Sequence, residues 1–260
     1  MSILQTIIFG IVEGVTEFLP ISSTGHLILT ADLLKISQTD FLKTFEISIQ
    51  LGAILAVVVL YWRKLFVEVI VIKRIITAFI PTAVLGLAFY KIIKTYLMGN
   101  NSVVLWSLFL GGIFLVIFEL ILQKKEKICE QEKGRLSDIT YKQSVVIGIF
   151  QSIAMIPGVS RSASTVVGGL VMGLSRKTIV EFSFLLAVPT MAAATGLDLL
   201  KNAGSFSSSE FVSLMIGFVI SFLVALVAIK WLLNYIQKHS FIAFGVYRII
   251  VALAFWLIIS

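Results

Sequence analysis

Long apolar runs, separated by short polar or basic segments, dominate the pattern of the chain. Most of these runs reach or approach the ~20 residues with which a helix crosses a bilayer. They do not alternate apolar and polar residues as the strands of a membrane barrel do. The pattern therefore predicts an all-α, polytopic integral membrane protein. The runs are Phe45–Tyr61, Ile75–Tyr90, Val103–Leu122, Phe182–Leu200, Phe211–Leu233 and Phe241–Ile259.

Two polar stretches interrupt the apolar pattern, from Gly10 to His26 and from Gly148 to Thr165. The first contains Pro20 and the second Pro157, so the helix on each side of the break is too short to cross a bilayer comfortably. Non-helical backbone at membrane depth is tolerated only where it is buried in protein or lines a water-filled cavity. Each stretch is therefore predicted to form a re-entrant helical hairpin.

The second stretch resembles a diverged copy of the first, which indicates an internal duplication. We expect a single membrane domain, 1–260, with halves at about 1–123 and 140–260 and a cytoplasmic linker at about 124–139. Each half is predicted to contain one hairpin and three transmembrane helices. Because three is an odd number, the second half would insert upside down relative to the first, giving two inverted-topology repeats.

Composition supports the membrane assignment, because 58% of the residues are hydrophobic and 13% are charged. A soluble domain is about 45–50% apolar and about 25% charged. The net charge of +7 comes from basic residues in short connections, as the positive-inside rule expects, and no nucleic-acid partner is implied. The single cysteine, Cys129, excludes a disulfide framework within the chain and a multi-cysteine metal site.

Glu13 and Glu17 lie four residues apart and therefore share one face of a helix. A charged residue at the centre of a span costs ~2.5–3.5 kcal/mol, so such residues must be paired, bind an ion or contact water. The functional hypothesis is a general base or a divalent-metal site. The structural alternative is a protonated carboxyl group in a polar helix contact.

Hydroxyl groups and a histidine follow this pair. Ser22, Ser23 and Thr24, at the expected start of a helix, suit an anion site together with free backbone amides. His26 is a candidate acid, base or nucleophile near neutral pH. The structural alternative is a capping loop with a packed histidine.

Arg161 is the central residue of the second stretch, and its planar guanidinium group suits phosphate oxygens. Ser160, Ser162 and Thr165 surround it in sequence and complete a candidate phosphate site. The structural alternative is an ion pair between Arg161 and one of the two glutamates.

Arg248 lies inside the last apolar run and requires a buried acceptor. Glu46 and Glu181, which we expect at the starts of long spans, are the candidate acceptors.

With both stretches in view, the chain resembles the undecaprenyl-diphosphatase family, also called the bacitracin-resistance family, over nearly its whole length. The resemblance implies hydrolysis of undecaprenyl diphosphate to undecaprenyl phosphate and inorganic phosphate, dependent on Ca²⁺ or Mg²⁺. The residues that carry it are Glu13 and Glu17, the block Pro20 to His26, Phe45-Glu46, Gln50-Leu51-Gly52, Pro157-Gly158, Ser160-Arg161-Ser162 and Thr165.

The resemblance also assigns roles. The essential glutamates of the family fall on Glu13 and Glu17, which are also the candidate metal ligands, and its phosphate-clamping arginine falls on Arg161. The nucleophile stays open between Ser23, His26 and water. The lipid diphosphate would be bound from the bilayer of the bacterial inner membrane, in a cavity that opens to the periplasmic or extracellular side. Whether two chains form a homodimer stays open.

Two other functions compete with this one. Inverted repeats with broken helices are also typical of transporters, so a transporter or flippase of polyprenyl phosphate lipids is the alternative. A lipid phosphatase that uses two histidines would need a second histidine in the site. His239, the only other one, lies in a predicted cytoplasmic loop.

The predicted topology can be tested with single cysteines. In a Cys129→Ser background, Lys35→Cys and Lys177→Cys should react with a membrane-impermeant thiol reagent from opposite faces, because the two hairpins enter from opposite sides. Labelling of both positions from the same face would contradict the inverted repeat.

Overall fold

A computed structural model describes residues 1–37, 39–92, 97, 100–126, 134–202 and 208–259, and it contains helices and no strand within these ranges. The all-α prediction is confirmed. Cys129 and part of the linker lie outside the described residues. The helices are α1 (Ile3–Thr16), α2 (Ser23–Leu33), α3 (Asp40–Phe66), α4 (Val69–Ile92), α5 (Asn101–Glu126), α6 (Tyr141–Ile153), α7 (Arg161–Val171), α8 (Arg176–Asn202), α9 (Ser208–Tyr235) and α10 (Ile242–Ile259), with a short 3₁₀ turn at Leu136–Asp138.

Within the described ranges, five helices are long and apolar enough to cross a membrane, namely α3, α4, α5, α8 and α9. The sixth predicted span, α10, has 18 residues and is a shorter apolar helix. At 1.5 Å per residue it is roughly 27 Å long, slightly less than the ~30 Å hydrocarbon core. The multi-pass membrane character is therefore confirmed, and the length of α10 lies near the lower limit for a spanning helix.

Both polar stretches contain the predicted break in the helix. In the first, α1 ends at Thr16 and α2 begins at Ser23, and in the second, α6 ends at Ile153 and α7 begins at Arg161. Each break thus leaves two helices of 11 to 14 residues, which are too short to span a bilayer singly. Entry of the two hairpins from opposite faces of the membrane stays a prediction.

The helix starts of the two hairpins and the ends of their second helices correspond at a separation of 138 positions. Helix α1 packs on α9, and its counterpart α6 packs on α4. The inverted duplication itself stays a prediction, with which this local geometry agrees. The matching features are the capping boxes Ser2–Gln5 and Thr140–Gln143, the N-caps Ser22 and Ser160, and the C-caps Leu34 and Met172.

Glycines allow the hairpin helices to approach their neighbours closely. A Cβ atom at Gly14 would lie 2.7 Å from the Ser221 carbonyl oxygen of α9. A Cβ atom at Gly148 would collide with the backbone carbonyl group of Ala78 in α4. Because the obstacle is backbone in both cases, it cannot move aside as a flexible side chain could. Small residues at such crossings are the usual basis of close helix packing in membranes.

This geometry predicts that Gly148→Val lowers the thermal stability of the protein. The added side chain would push α6 away from α4, at a cost of about 1–3 kcal/mol for overpacking. Thermal unfolding in detergent micelles measures the effect. The control is Gly134→Ala, whose Cβ atom would meet its nearest neighbour at 3.9 Å. Equal melting temperatures for the two variants would contradict the predicted close crossing.

Candidate active site

The breaks of the two hairpins lie side by side at a cavity of about 200 Å³. Both predicted polar stretches contribute to its walls, together with residues of α4 and α8. The lining residues are Glu17, Ser22, Ser23, Thr24, Thr82, Gln151, Ala154, Met155, Pro157, Gly158, Ser160, Arg161, Thr190, Met191 and Ala194.

The Glu17 carboxylate connects the two hairpins at this cavity. Its Oε2 atom accepts a hydrogen bond of 2.5 Å from the Ser23 hydroxyl group. Its Oε1 atom lies 3.2 Å from Nη2 of Arg161 in an ion pair. The Glu17 side chain is 3% exposed and the Arg161 side chain 12% exposed, so the pair is mostly withdrawn from water. A carboxylate in this position can accept the Ser23 proton while the guanidinium group fixes its orientation.

Two helix starts face the cavity with the same unusual backbone. Ser22 caps α2 with φ of 72°, and Ser160 caps α7 with φ of 80°. Residues other than glycine rarely adopt positive φ, and such strain concentrates at functional sites. Each serine side chain accepts a hydrogen bond from a backbone amide, 3.4 Å from Gly25 and 3.2 Å from Ala163. Both helices thus begin at the cavity with the positive ends of their dipoles.

The Nε–H group of Arg161 is not used by the contacts that hold its side chain in place. Its Nη1 atom donates to the carbonyl oxygen of Ser183 at 2.9 Å, and Nη2 is paired with Glu17. Its Nε–H group is buried and has no acceptor within the described part of the chain. A buried unpaired donor is costly, so an anion in the cavity would satisfy a real deficit.

Two predicted phosphate ligands are used to hold the site together and are not among the lining residues. Ser162 donates a hydrogen bond of 2.7 Å to the carbonyl oxygen of Leu19, which joins the second hairpin to the first. The Thr165 hydroxyl lies 2.5 Å from that of Ser183 in α8. Their hydroxyl groups therefore support the turn that carries Arg161.

Glu13 lies one helical turn before Glu17 and is fully buried, outside the cavity lining. Both of its carboxylate oxygens lack a hydrogen-bond donor among the described residues.

Glu46 lies six residues inside α3 and Glu181 five residues inside α8, so neither opens its helix as the sequence pattern predicted.

His26 is also not among the residues that line the cavity. Its Nδ1 atom is 2.7 Å from the Ser22 carbonyl oxygen, which can only accept, so Nδ1 carries a proton. Its Nε2 atom is 2.9 Å from the hydroxyl group of Tyr247 in α10. Both ring nitrogens are therefore engaged, and the ring stacks on that of Tyr247 with 5.5 Å between centroids.

The prediction that Arg248 pairs with Glu46 or Glu181 is wrong. Arg248 is 1% exposed and donates only to backbone carbonyls in the contacts that the structure describes. Two of these carbonyls belong to Gly158 and Val159, in the turn that leads to Arg161. The others belong to Ser107 and Leu108 of α5. The sequence indicated a buried arginine. Its acceptors could not be predicted, because every residue has a backbone carbonyl group.

Part of the cavity wall was not predicted from the sequence, namely Thr82, Gln151 and Thr190. The two threonines lie within apolar helices, each directly after a proline, Pro81 and Pro189. A proline followed by a polar residue inside a span is the signal that could have found them, because proline frees a carbonyl group and disturbs the helix.

The sequence model of the family described as bacitracin resistance protein BacA matches residues 6–254. A protein of Aquifex aeolicus named undecaprenyl-diphosphatase is 55% identical, over 96% of this chain and 96% of its own. Relatives of the same name from a Sulfurihydrogenibium species and from Wolinella succinogenes are 52% and 50% identical, over 97–99% of each chain.

The Arg248 contacts predict a stability effect. Arg248→Met would leave several buried carbonyl groups without a donor, at about 1–3 kcal/mol each, so it should lower thermal stability strongly. Thermal unfolding in micelles measures it. Arg63→Met, at an exposed position of α3, is the matched control. A difference of less than about 1–2 °C between the melting temperatures of the two variants corresponds to a few tenths of a kcal/mol. Such a small difference would contradict the role of Arg248 in binding these carbonyl groups.

Proposed function

The chain belongs to the family of the bacitracin resistance protein BacA, and we propose from this membership that it hydrolyses undecaprenyl diphosphate to undecaprenyl phosphate and inorganic phosphate. The relatives that share about half of its sequence over their full length are named for that activity. The reaction regenerates the lipid carrier of bacterial cell-wall synthesis, and the same activity underlies resistance to bacitracin.

The hydrogen bond from Ser23 to Glu17 carries the mechanistic part of the proposal. A serine, a carboxylate that accepts its proton and a cation that orients the carboxylate form the arrangement of an activated nucleophile. All three residues line one cavity, and that cavity also contains two helix starts suited to phosphate. Ser23 is therefore favoured over His26, whose ring nitrogens are occupied by the Ser22 carbonyl and Tyr247.

In the first step, Ser23 Oγ attacks the terminal phosphorus and its proton passes to Glu17. The bond between this phosphorus and the bridging oxygen breaks, and undecaprenyl phosphate leaves with the bridging oxygen. In the second step, water attacks the phosphoserine, the P–Oγ bond breaks, and Ser23 Oγ recovers its proton from Glu17. Both protons of the water remain on the released phosphate, so atoms and charges balance.

The phosphate charge would be neutralised by Arg161 and by the helix starts. The unpaired Nε–H group of Arg161 and the hydroxyl groups of Ser22 and Thr24 are the polar groups available there, while the Ser160 hydroxyl group donates to Ser162 Oγ. In a site withdrawn from water, such preorganised donors stabilise the transition state strongly. Ser162 and Thr165 would act indirectly, by fixing the turn before α7.

A divalent cation fits the carboxylates of Glu13 and Glu17. The unpartnered, fully buried oxygens of Glu13 would be satisfied by a cation, and carboxylate oxygens are the ligands that Ca²⁺ and Mg²⁺ prefer. Within the described ranges, no group of three or more His, Cys, Asp or Glu side chains could hold a metal ion. The protein would therefore supply two carboxylates, and phosphate and water would supply the remaining ligands. When bound, the ion would add charge stabilisation at the phosphate oxygens.

We also propose that the protein resides in the bacterial cell membrane with this cavity open to the outer side. The basic connections 62–74 and 173–178 would then face the cytoplasm, in agreement with the positive-inside rule.

The function predicts that purified protein in detergent releases inorganic phosphate from undecaprenyl diphosphate. Ser23→Ala and Glu17→Gln should each lower turnover by about 10²–10⁴-fold, because they remove the nucleophile and the base. A malachite-green phosphate assay measures the rates. Ser137→Ala, in the 3₁₀ turn, should retain wild-type turnover.

Three results would contradict parts of this proposal. Absence of phosphate release by the wild type would reject the hydrolase and favour the transporter. Undiminished turnover in Ser23→Ala would reject Ser23 as the nucleophile. Full activity in the presence of a chelator, with metal content checked by mass spectrometry, would reject the cation.

A further inference from the structure

A polar cluster on the wall of the cavity contributed by α4, α6 and α8 is not used by the mechanism above. Gln151, in the last turn of α6, is 1% exposed. Its Nε2 atom donates to Thr82 Oγ1 of α4 at 2.9 Å and to Thr190 Oγ1 of α8 at 3.0 Å. All three residues line the same cavity as Ser23 and Arg161.

The threonines fix which way the Gln151 amide is turned. Thr82 uses its hydroxyl proton on the carbonyl oxygen of Gly148, at 2.9 Å. Thr190 uses its proton on the carbonyl oxygen of Leu186, at 2.8 Å. Each hydroxyl therefore presents only lone pairs to Gln151, and only the NH₂ group can satisfy both. Rotation of the amide would set its oxygen against two acceptors.

This orientation leaves the amide oxygen without a partner. Gln151 Oε1 is buried and accepts no hydrogen bond within the described residues. A buried unsatisfied acceptor costs about 1–3 kcal/mol, so the arrangement is retained at a measurable expense in stability. Its position in the cavity wall indicates that the missing donor belongs to a ligand.

The chemistry of the wall restricts that ligand. The two NH₂ protons and both threonine protons are consumed, so the cluster offers the cavity an acceptor and no donor. The neighbouring lining residues Ala154, Met155 and Met191 are apolar. A charged phosphate oxygen, itself only an acceptor, would be repelled there and belongs on the side of Arg161 and the helix starts. The ligand at Gln151 must therefore carry a hydrogen-bond donor, and hydrolysis of a phosphate ester requires one such molecule, water.

We propose that Gln151 Oε1 accepts a hydrogen bond from the water that hydrolyses the Ser23 phosphoester, with Thr82 and Thr190 as positioning residues. The inference rests on the proposed function and deepens it. The water oxygen bonds to phosphorus, the P–Oγ bond of Ser23 breaks, and the water protons remain on inorganic phosphate. Gln151 orients the water and takes no proton.

The test uses Gln151→Met, which keeps the length of the side chain and removes the acceptor. The substrate is undecaprenyl diphosphate labelled with ³²P in the terminal phosphate, and samples are quenched in acid. Because only the second step needs water, kcat should fall about 10–100-fold, KM should fall with it so that kcat/KM is nearly unchanged, and labelled protein should accumulate. The label should be lost in the double variant with Ser23→Ala.

Thr190→Val supplies a second variant, since it frees the amide to rotate and should give the same accumulation with a smaller loss of turnover, about 3–10-fold. Gln123→Met makes the matched exchange at the end of α5, outside the cavity lining, and should behave as wild type. A misfolded variant would neither turn over nor become labelled, so accumulation of label separates positioning of water from loss of structure.

Several outcomes would overturn the assignment. Wild-type kinetics in Gln151→Met would show that the acceptor has no role. An increase in KM with unchanged kcat would place the phosphate at Gln151, and slow turnover without labelled protein would remove it from the second step. Failure of the wild type to release phosphate would instead reject the proposed function.

Discussion

The Glu17 carboxylate is the interaction on which the rest of the site depends. It is buried, and it is shared between the Ser23 hydroxyl group of its own hairpin and the Arg161 guanidinium group of the other. Removing one partner of a buried ion pair leaves an uncompensated charge, which costs several kcal/mol. The two broken helices therefore hold each other in place through the same group that prepares the serine for attack. Stability and reactivity cannot be separated at this position.

Helix α10 secures both breaks from outside the cavity. Tyr247 bonds the imidazole ring of His26, which in turn holds the Ser22 carbonyl group. The next residue, Arg248, holds the carbonyl groups of Gly158 and Val159 in the second hairpin. Adjacent residues on one helix thus fix the turns before α2 and α7, the two places where serine adopts positive φ. Strained turns persist only when the surroundings over-determine them, and α10 provides that constraint.

The sequence predicted the site residues whose burial in an apolar environment is energetically costly. Glu17, Ser23 and Arg161 stood out because charged and polar groups are expensive in an apolar chain, and the prolines marked the broken helices. It could not predict contacts made through backbone carbonyls, so Arg248 was matched to the wrong acceptors. Nor could it tell that His26 turns towards α10, because the direction of a side chain depends on tertiary packing. Thr82 and Thr190 went unnoticed since threonine is common in membrane helices, and only their shared contact with Gln151 gives them significance.

The two faces of the cavity differ in a way that sets the requirements for any molecule designed to block it. The Arg161 face offers hydrogen-bond donors, whereas the Gln151 face offers one acceptor oxygen among apolar side chains. A purely anionic inhibitor would leave that oxygen unsatisfied. An inhibitor that combined a phosphonate with a neutral hydroxyl group would match both, and its selectivity would come from that hydroxyl group.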